Sequence, residues 1–508
     1  MLKFTRIIIL SIVLSIFVSP FTNSRTPAYA ANTPENLSDS VKTAVDKTVI
    51  NDVDVQGSLP TKLNGKKVLK EVTGERTKNS KHYQLDDGTF AAVISIDDVH
   101  YEDENGQLHD IDTSLVDAAD VDLGSTPKSK EATDEMRQIS AENGLKKTQG
   151  SVDRDKSDYI APYVPLKVRI PKDYSDGYSV GKGSDKLTFI PMGTNATIGV
   201  IESTRTNEIT YSGAWDDTDV TLEVTDKGIK ESLILRSERA PTMFTFEVNG
   251  GMFENSGEGG LLLQPAWLKD AKGTYRNVKQ LIRRTESSTY VDLVVDTKDL
   301  FYPITIDPTV TLLSTGMDSY IANLEGWSHG NEPSLVASNY SAEAYLKFDL
   351  SSIASPDIVV TSSTLSLYML GGQNSDWYYL YTVSSAWDEN TINYLNKPNS
   401  TNTGIYSHLV YTNNYWADWN VSSLVQGWLI GVAANHGIKI SPLSGNSSRV
   451  FASSDNSNST IRPKLVINYY NASPSAPTII SPNGGSLLTG TTLLHGEPLQ
   501  TLIRYSQI

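Results

Sequence analysis

The stretch Ala344-Tyr345-Leu346-Lys347-Phe348-Asp349-Leu350 alternates apolar and polar residues. A strand sends successive side chains to opposite faces, so Leu346, Phe348 and Leu350 share one face, the pattern of a strand that buries one side only. Leu365, Leu367 and Met369 repeat it within 363–370, and further strands are expected at 377–383, 437–441, 450–453 and 464–469. One helix interrupts them. Asn420 is placed as its N-cap, and Val421, Leu424, Val425 and Trp428 follow at i, i+3, i+4 and i+7, an apolar stripe suited to lidding the end of a core. Many short one-sided strands predict a β-sandwich of jelly-roll type over 309–471.

Upstream, 159–308 also reads as antiparallel and β-rich. Val220-Thr221-Leu222-Glu223-Val224 and Thr289-Tyr290-Val291-Asp292-Leu293-Val294-Val295 alternate, and turn signals recur at Ser175-Asp176-Gly177, Asp226-Lys227-Gly228 and Asn249-Gly250-Gly251. The fold class is therefore mainly β: a β-rich N-terminal region followed by a sandwich with one short helix. Between 31 and 160 the chain carries 16 Lys and Arg against 26 Asp and Glu. That excess of acid predicts a flexible segment over 31–80 and a linker or inserted arm over 116–158, with a short helix around 131–147. Within this region, 81–115 forms a hairpin region, because Asp87-Gly88 between apolar runs suits a two-residue turn.

The remaining boundaries come from composition. Lys3 and Arg6 precede an apolar run of about 12 residues, too short for the roughly 20 that span a bilayer, and Ala28-Tyr29-Ala30 is a small-x-small cleavage site. Residues 1–30 thus read as a signal peptide cut after Ala30, leaving no transmembrane segment and a secreted protein. Residues 472–508 read as a Pro-rich linker and the truncated start of a further module. The absence of cysteine excludes disulfide frameworks and thiol chemistry, and a secreted chain without cysteine suits a Gram-positive surface. A net charge of −16 offers no basic field for a polyphosphate, so nucleic acid is not an expected partner.

Five ordered motifs carry a family resemblance: 344–353, Ser363-Thr364-Leu365-Ser366-Leu367-Tyr368, Ala386-Trp387-Asp388-Glu389-Asn390-Thr391 with Asn396-Lys397-Pro398, 420–428, and Arg462-Pro463-Lys464-Leu465-Val466-Ile467. Together they resemble a DNRLRE domain, which implies a carbohydrate-binding-like sandwich on secreted and cell-surface proteins. Lys81 to Phe90, Tyr101 to Leu115, 215–220 with Lys230-Glu231, and Tyr302-Pro303-Ile304-Thr305-Ile306-Asp307-Pro308 resemble the N-terminal region of wall-associated RHS-type proteins of Gram-positive bacteria. This second resemblance implies export, wall attachment or delivery.

Catalytic constellations are missing. The seven histidines form no His-Glu-x-x-His pair, there is no Gly-x-Ser-x-Gly elbow, and His100 and His109 straddle an acidic loop in the manner of surface polarity. Asp388-Glu389 and Asp216-Asp217 are adjacent on expected strands and point apart, so neither pair can flank one glycosidic bond. The chain reads as a non-enzyme with no required cofactor. A structural calcium is the one ion considered, and Asp318 is its candidate ligand on the preference of hard cations for oxygen.

Six of the eight tryptophans lie beyond residue 308, and pyranose rings stack their C–H faces on such side chains. Trp387, Trp419 and Trp428 fit core positions. Trp327, Trp377 and Trp416 are the candidate ligand-binding residues, with extracellular or cell-wall polysaccharide as the partner. A structural fragment of an RHS-type toxin-delivery protein, with no ligand of its own, is the alternative reading; a polysaccharide-degrading enzyme is the third.

Overall fold

The computed structural model describes residues 59–472, except 122–126, 143–156, 251–260, 287, 313–316, 324–325, 327, 340, 356 and 443–446, together with 479–481 and 495–496. The expected signal segment with Ala28 and Ala30, Trp327, and most of 472–508 lie outside the described residues. The fold is mainly β and built from antiparallel pairs, with two α-helices among the described residues.

The C-terminal sandwich lies within a 14-stranded sheet folded over on itself, of which four strands come from 62–95. Its crossing point is the 16-residue strand Ile358–Gln373, longer than the expected 363–370. This strand pairs first with Lys464–Asn471, then with Tyr415–Asn420, and from Met369 onward, across a register shift between Met369 and Gly371, with Ser448–Ala452, so one chain segment serves both layers. The layers close on Leu346, Leu365, Leu367, Tyr378, Leu380, Trp419, Ile440 and Phe451. Trp419 Nε1 donates across this core to the Tyr378 carbonyl at 3.0 Å, which satisfies the buried indole N–H.

The expected helix runs Ser422–Leu429. Asn420 Oδ1 accepts from the Ser422 N–H at 3.1 Å, so it caps from one position earlier than an N-cap residue, and Val421 takes the cap position itself. Gln426 then fastens the helix to the long strand, accepting from the Val360 N–H at 2.7 Å and donating to the Ile358 carbonyl at 3.0 Å.

Strand Phe90–Ser95 extends this same sheet by pairing with Lys464–Asn471, from Ser95↔Lys464 to Tyr469↔Phe90. Its partner Ser80–Leu85 follows on the outer side. The connection is not the two-residue turn expected at Asp87-Gly88. Leu85 bonds to the Thr89 carbonyl at 2.9 Å, Gly88 bonds back to the Leu85 carbonyl at 3.1 Å, and Gly88 has φ +83. That is a three-residue loop whose last residue is left-handed, which spares Asp87 the positive φ a two-residue turn demands.

The middle lobe faces an eight-stranded sheet against a nine-stranded one. One core joins them, with Val180, Phe189, Phe246 and Val291 from the first and Ile209, Tyr211, Val220, Leu233 and Ile306 from the second. Helix Lys130–Glu142 lies within the expected 131–147 apart from its first residue. It is docked: Met136 and Ile139 pack with Ala118, Val121 and Ile160, and Lys186 donates to Glu135 at 2.6 Å.

Candidate functional site

Strand Asp376–Val383 sorts its aromatics by parity. Tyr378 and Leu380 are fully buried in the sandwich core, which turns Trp377, Tyr379 and Tyr381 to the outer face. Trp377 is 43% exposed and Tyr406, on the neighbouring strand Ser400–Leu409, is 52% exposed. Register places Trp377 opposite His408 and Tyr379 opposite Tyr406. The rings touch: Trp377 meets Tyr406 edge-on at 5.1 Å and His408 at 4.8 Å, and Tyr379 lies 5.1 Å from Tyr406.

Polar groups continue this face on the other side. Tyr379 is registered with Ser441 and Tyr381 with Lys439, whose Nζ stands 4.4 Å from the Tyr381 ring centroid. Glu343 receives Lys439 at 3.2 Å and Lys397 at 2.9 Å. Exposed ring surfaces next to hydroxyl and charged groups form a shallow platform able to stack on the apolar face of a sugar and to bond its hydroxyls.

Trp416 does not belong to this platform. Trp419 points into the core and Trp416, three residues earlier on the same strand, points out from the opposite layer. One face of its indole is taken by the Lys464 ammonium, 3.8 Å from the ring centroid, and Tyr368 packs edge-on at 5.3 Å. Trp387 donates its indole N–H to the His436 carbonyl at 2.8 Å and packs with Tyr345 and Ile321. Tyr406 and His408 are not among the expected site residues, because Ser400-Thr401-Asn402-Thr403-Gly404 lacks the apolar alternation that marks the other strands. The two-residue spacing of Tyr406 and His408 was the available sign of a strand.

Asp318 occupies a different place. It is fully buried near the end of the sandwich, accepting from the Ser454 N–H and hydroxyl at 2.8 Å each. Asp318, Glu389 and Asp455 offer oxygens that all lie within 4.8 Å of one another, the one such group of three or more potential metal ligands among the described residues. Into this cluster reaches Lys227, from the tip of the hairpin between strands Thr218–Val224 and Gly228–Leu235 of the middle lobe. Its Nζ stands 3.0 Å from Asp97 Oδ2, 3.0 Å from Asp455 Oδ1 and 3.9 Å from Glu389 Oε1, and it donates to Ser454 Oγ at 3.2 Å. Beside it, Arg462 donates to Asp226 at 2.7 Å.

Burial dominates the electrostatics here. It pushes Asp97 up to about 6 and Asp318 up to about 7, with the Lys227 charge pulling both back, and it drives Glu389 well above the carboxylate range. Burial also works against the Lys227 charge, but Asp455, Asp97 and Glu389 outweigh it and hold the ammonium protonated.

The two carboxylate pairs weighed for catalysis lie in turns, not on strands. Their members still part: Glu389 is buried at Lys227 while Asp388 caps a turn by accepting from the Asn390 N–H, and Asp217 is drawn to Arg239 at 2.9 Å. His100 and His109 engage separate carboxylates, Asp110 at 3.3 Å and Asp103 at 3.1 Å. Among the described residues no helix is long and apolar enough to cross a membrane.

Comparison with known proteins places the sandwich. Residues 309–469 match the model of carbohydrate-binding module family 96. The chain is 25% identical over 464 residues to the tRNA3(Ser)-specific nuclease WapA of Bacillus spizizenii, covering 82% of this chain and 18% of that protein. It is 24% identical over 463 residues to the tRNA nuclease WapA of Bacillus subtilis strain 168, with the same coverage of each. The chain thus spans 18% of the length of these curated relatives. Among solved structures, the N-terminal CBM22-1-CBM22-2 tandem domain of Paenibacillus barcinonensis Xyn10C overlaps 61% of this chain and 99% of that one at 11% identity, with a TM-score of 0.13. That overlap is too slight to support any argument. The chain carries a carbohydrate-binding-type β-sandwich over 309–469, within a longer stretch related to the WapA proteins.

Proposed function

We propose that this chain is a secreted, cell-wall-associated, non-catalytic binding protein whose 309–471 sandwich holds extracellular or wall polysaccharide on the face built around Trp377. The observation that carries this reading is the half-exposed pair Trp377 and Tyr406, supported edge-on and flanked by Ser441, Lys439 and Glu343, on a module that matches a carbohydrate-binding family. A folded protein leaves such ring surface in water at a cost, and stacking on a pyranose recovers it. The divergent carboxylate pairs support the non-catalytic part. The nuclease activity named for the relatives is not assigned to these residues.

The test is retention of the chain on immobilised cell walls, peptidoglycan and acidic polysaccharides. Retention on at least one, released by the same glycan in solution, is expected. A folded chain retained by none would overturn the reading, and release of reducing ends from any of them would favour an enzyme.

A further inference from the structure

The net charge of −16 conceals a local reversal. Between Trp267 and Arg284 the chain has six basic residues, Lys269, Lys272, Arg276, Lys279, Arg283 and Arg284, against one acid, Asp270. Asp270 is 4% exposed and spent on backbone: Oδ1 accepts from the Lys272 and Thr274 N–H groups at 2.9 and 2.7 Å, and Oδ2 from the Phe301 N–H at 3.1 Å. Arg276 reaches Asp296 and Arg283 pairs with Asp292, whereas Lys269, Lys272 and Lys279 form no ion pair among the described residues.

Strand geometry gathers two of these lysines with aromatic rings. Leu268 is buried in the middle lobe's core, so its neighbours on strand Trp267–Lys269 turn to the outer face of the nine-stranded sheet. Strand Tyr275–Asn277, the edge of that sheet, sets Tyr275 opposite Lys269 and Asn277 opposite Trp267 on the same face. Trp267 lies 5.3 Å from Tyr275, and the Lys269 ammonium 5.0 Å from the Tyr275 ring centroid. The turn between the two strands adds Lys272, 3.1 Å from the Phe301 ring centroid. Tyr275 is 51% and Phe301 49% exposed.

Ring surface half in water suits the apolar face of a pyranose, and ammonium groups without a carboxylate partner suit an anion. A nucleic acid duplex, with roughly one charge per 1.7 Å, needs a longer basic track than this turn offers and is repelled by the rest of an acidic chain. A polysaccharide with an anion on some of its sugars needs only the turn.

We propose that Trp267, Tyr275 and Phe301, with Lys269 and Lys272, form a second glycan site, carried by the middle lobe and selective for acidic polysaccharide. It does not rest on the Trp377 face, which belongs to the sandwich.

The experiment measures binding of the full chain to polygalacturonate, phosphomannan, uncharged dextran and single-stranded DNA at about 50 and about 200 mM salt. Wild type should bind at least one of the two acidic polysaccharides, more weakly at the higher salt and more tightly than dextran; the preferred one names carboxylate or phosphate as the anion. Lys269→Gln combined with Lys272→Gln should weaken that binding about fivefold or more and flatten its salt dependence, with unchanged circular dichroism, in the wild-type and Trp377→Ala backgrounds alike. Tyr275→Ala should weaken it at both salt concentrations. A loss in the lysine variant with none in Trp377→Ala would leave this site standing without the Trp377 face. A folded wild type that binds neither acidic polysaccharide, a lysine variant that binds as tightly as wild type, equal affinity for dextran, or tighter binding of single-stranded DNA than of either polysaccharide would each overturn the proposal.

Discussion

Replacing Glu231 with Gln tests how the middle lobe tolerates a carboxyl group in its core. Glu231 is 1% exposed on strand Gly228–Leu235 and accepts from the Tyr174 hydroxyl at 2.5 Å and the Tyr178 hydroxyl at 3.2 Å. Burial pushes its carboxyl from the ordinary 4.5 to about 8, even though the two tyrosine bonds pull the other way. Between those values the folded chain holds a proton that the unfolded chain has released. This contribution is fully present below pH 4.5 and is lost as pH rises through 8, because a raised folded value means the unfolded state binds fewer protons there. At about 1.36 kcal/mol per pH unit the whole interval is worth roughly 5 kcal/mol. Gln keeps the volume and does not titrate. The assay is urea unfolding at pH 5, 6.5 and 8 followed by tryptophan fluorescence, and Trp215, packed edge-on 5.6 Å from Tyr174, reports this core. Wild type should lose stability relative to Glu231→Gln at each step and be the less stable protein at pH 8. A difference that stays constant across the three pH values would refute the reasoning.

Three further outcomes follow from individual contacts. His82, buried between Ser80 and Tyr469, is held neutral by burial, its value lowered from 6.5 to about 4, so its contribution is intact above pH 6.5 and falls away as pH drops toward 4, by up to about 3 kcal/mol; His82→Gln should flatten the acid limb of the melting curve. Gly330→Ala would set a Cβ 2.4 Å from both the Glu389 carbonyl oxygen and its Cγ, and the backbone atom cannot swing away, so a loss of about 1–3 kcal/mol is expected in thermal unfolding. Trp416→Ala uncovers the buried Lys464 and removes its cation–π contact, which should cost about 1–2 kcal/mol in the same assay.

Period-two alternation made the sandwich strands legible. The strands around Leu346, Leu365 and Leu380 lie where one-sided apolar patterning puts them, and so does the helix around Val425. What the sequence did not reveal are pairings between distant segments. Nothing in Phe90–Ser95 tells that it pairs with Lys464–Asn471, because a strand's pattern names its buried face and not its neighbour. The polar strand Ser400–Leu409 is not among the expected strands, for want of apolar alternation, and with it went Tyr406 and His408. At the site, Trp377 was found as a tryptophan left over from the core pattern. That Trp416 turns away from the core was also implicit, since the odd spacing from Trp416 to the core residue Trp419 fixes the former's direction, but its place in the layer opposite Trp377 was not. Asp318 was chosen for its oxygen chemistry alone; its meeting with Glu389 and Asp455 depends on distant pairings within the sandwich, and its meeting with Lys227 on how two lobes dock.

The central claim is that the outer face around Trp377 holds polysaccharide, and the direct measurement is the affinity of wild type, Trp377→Ala and Trp416→Ala for whichever wall glycan retains the full chain. Trp377→Ala should weaken binding about tenfold or more with unchanged circular dichroism, while folded Trp416→Ala should stay within about twofold of wild type. Equal affinity of Trp377→Ala and wild type would contradict it.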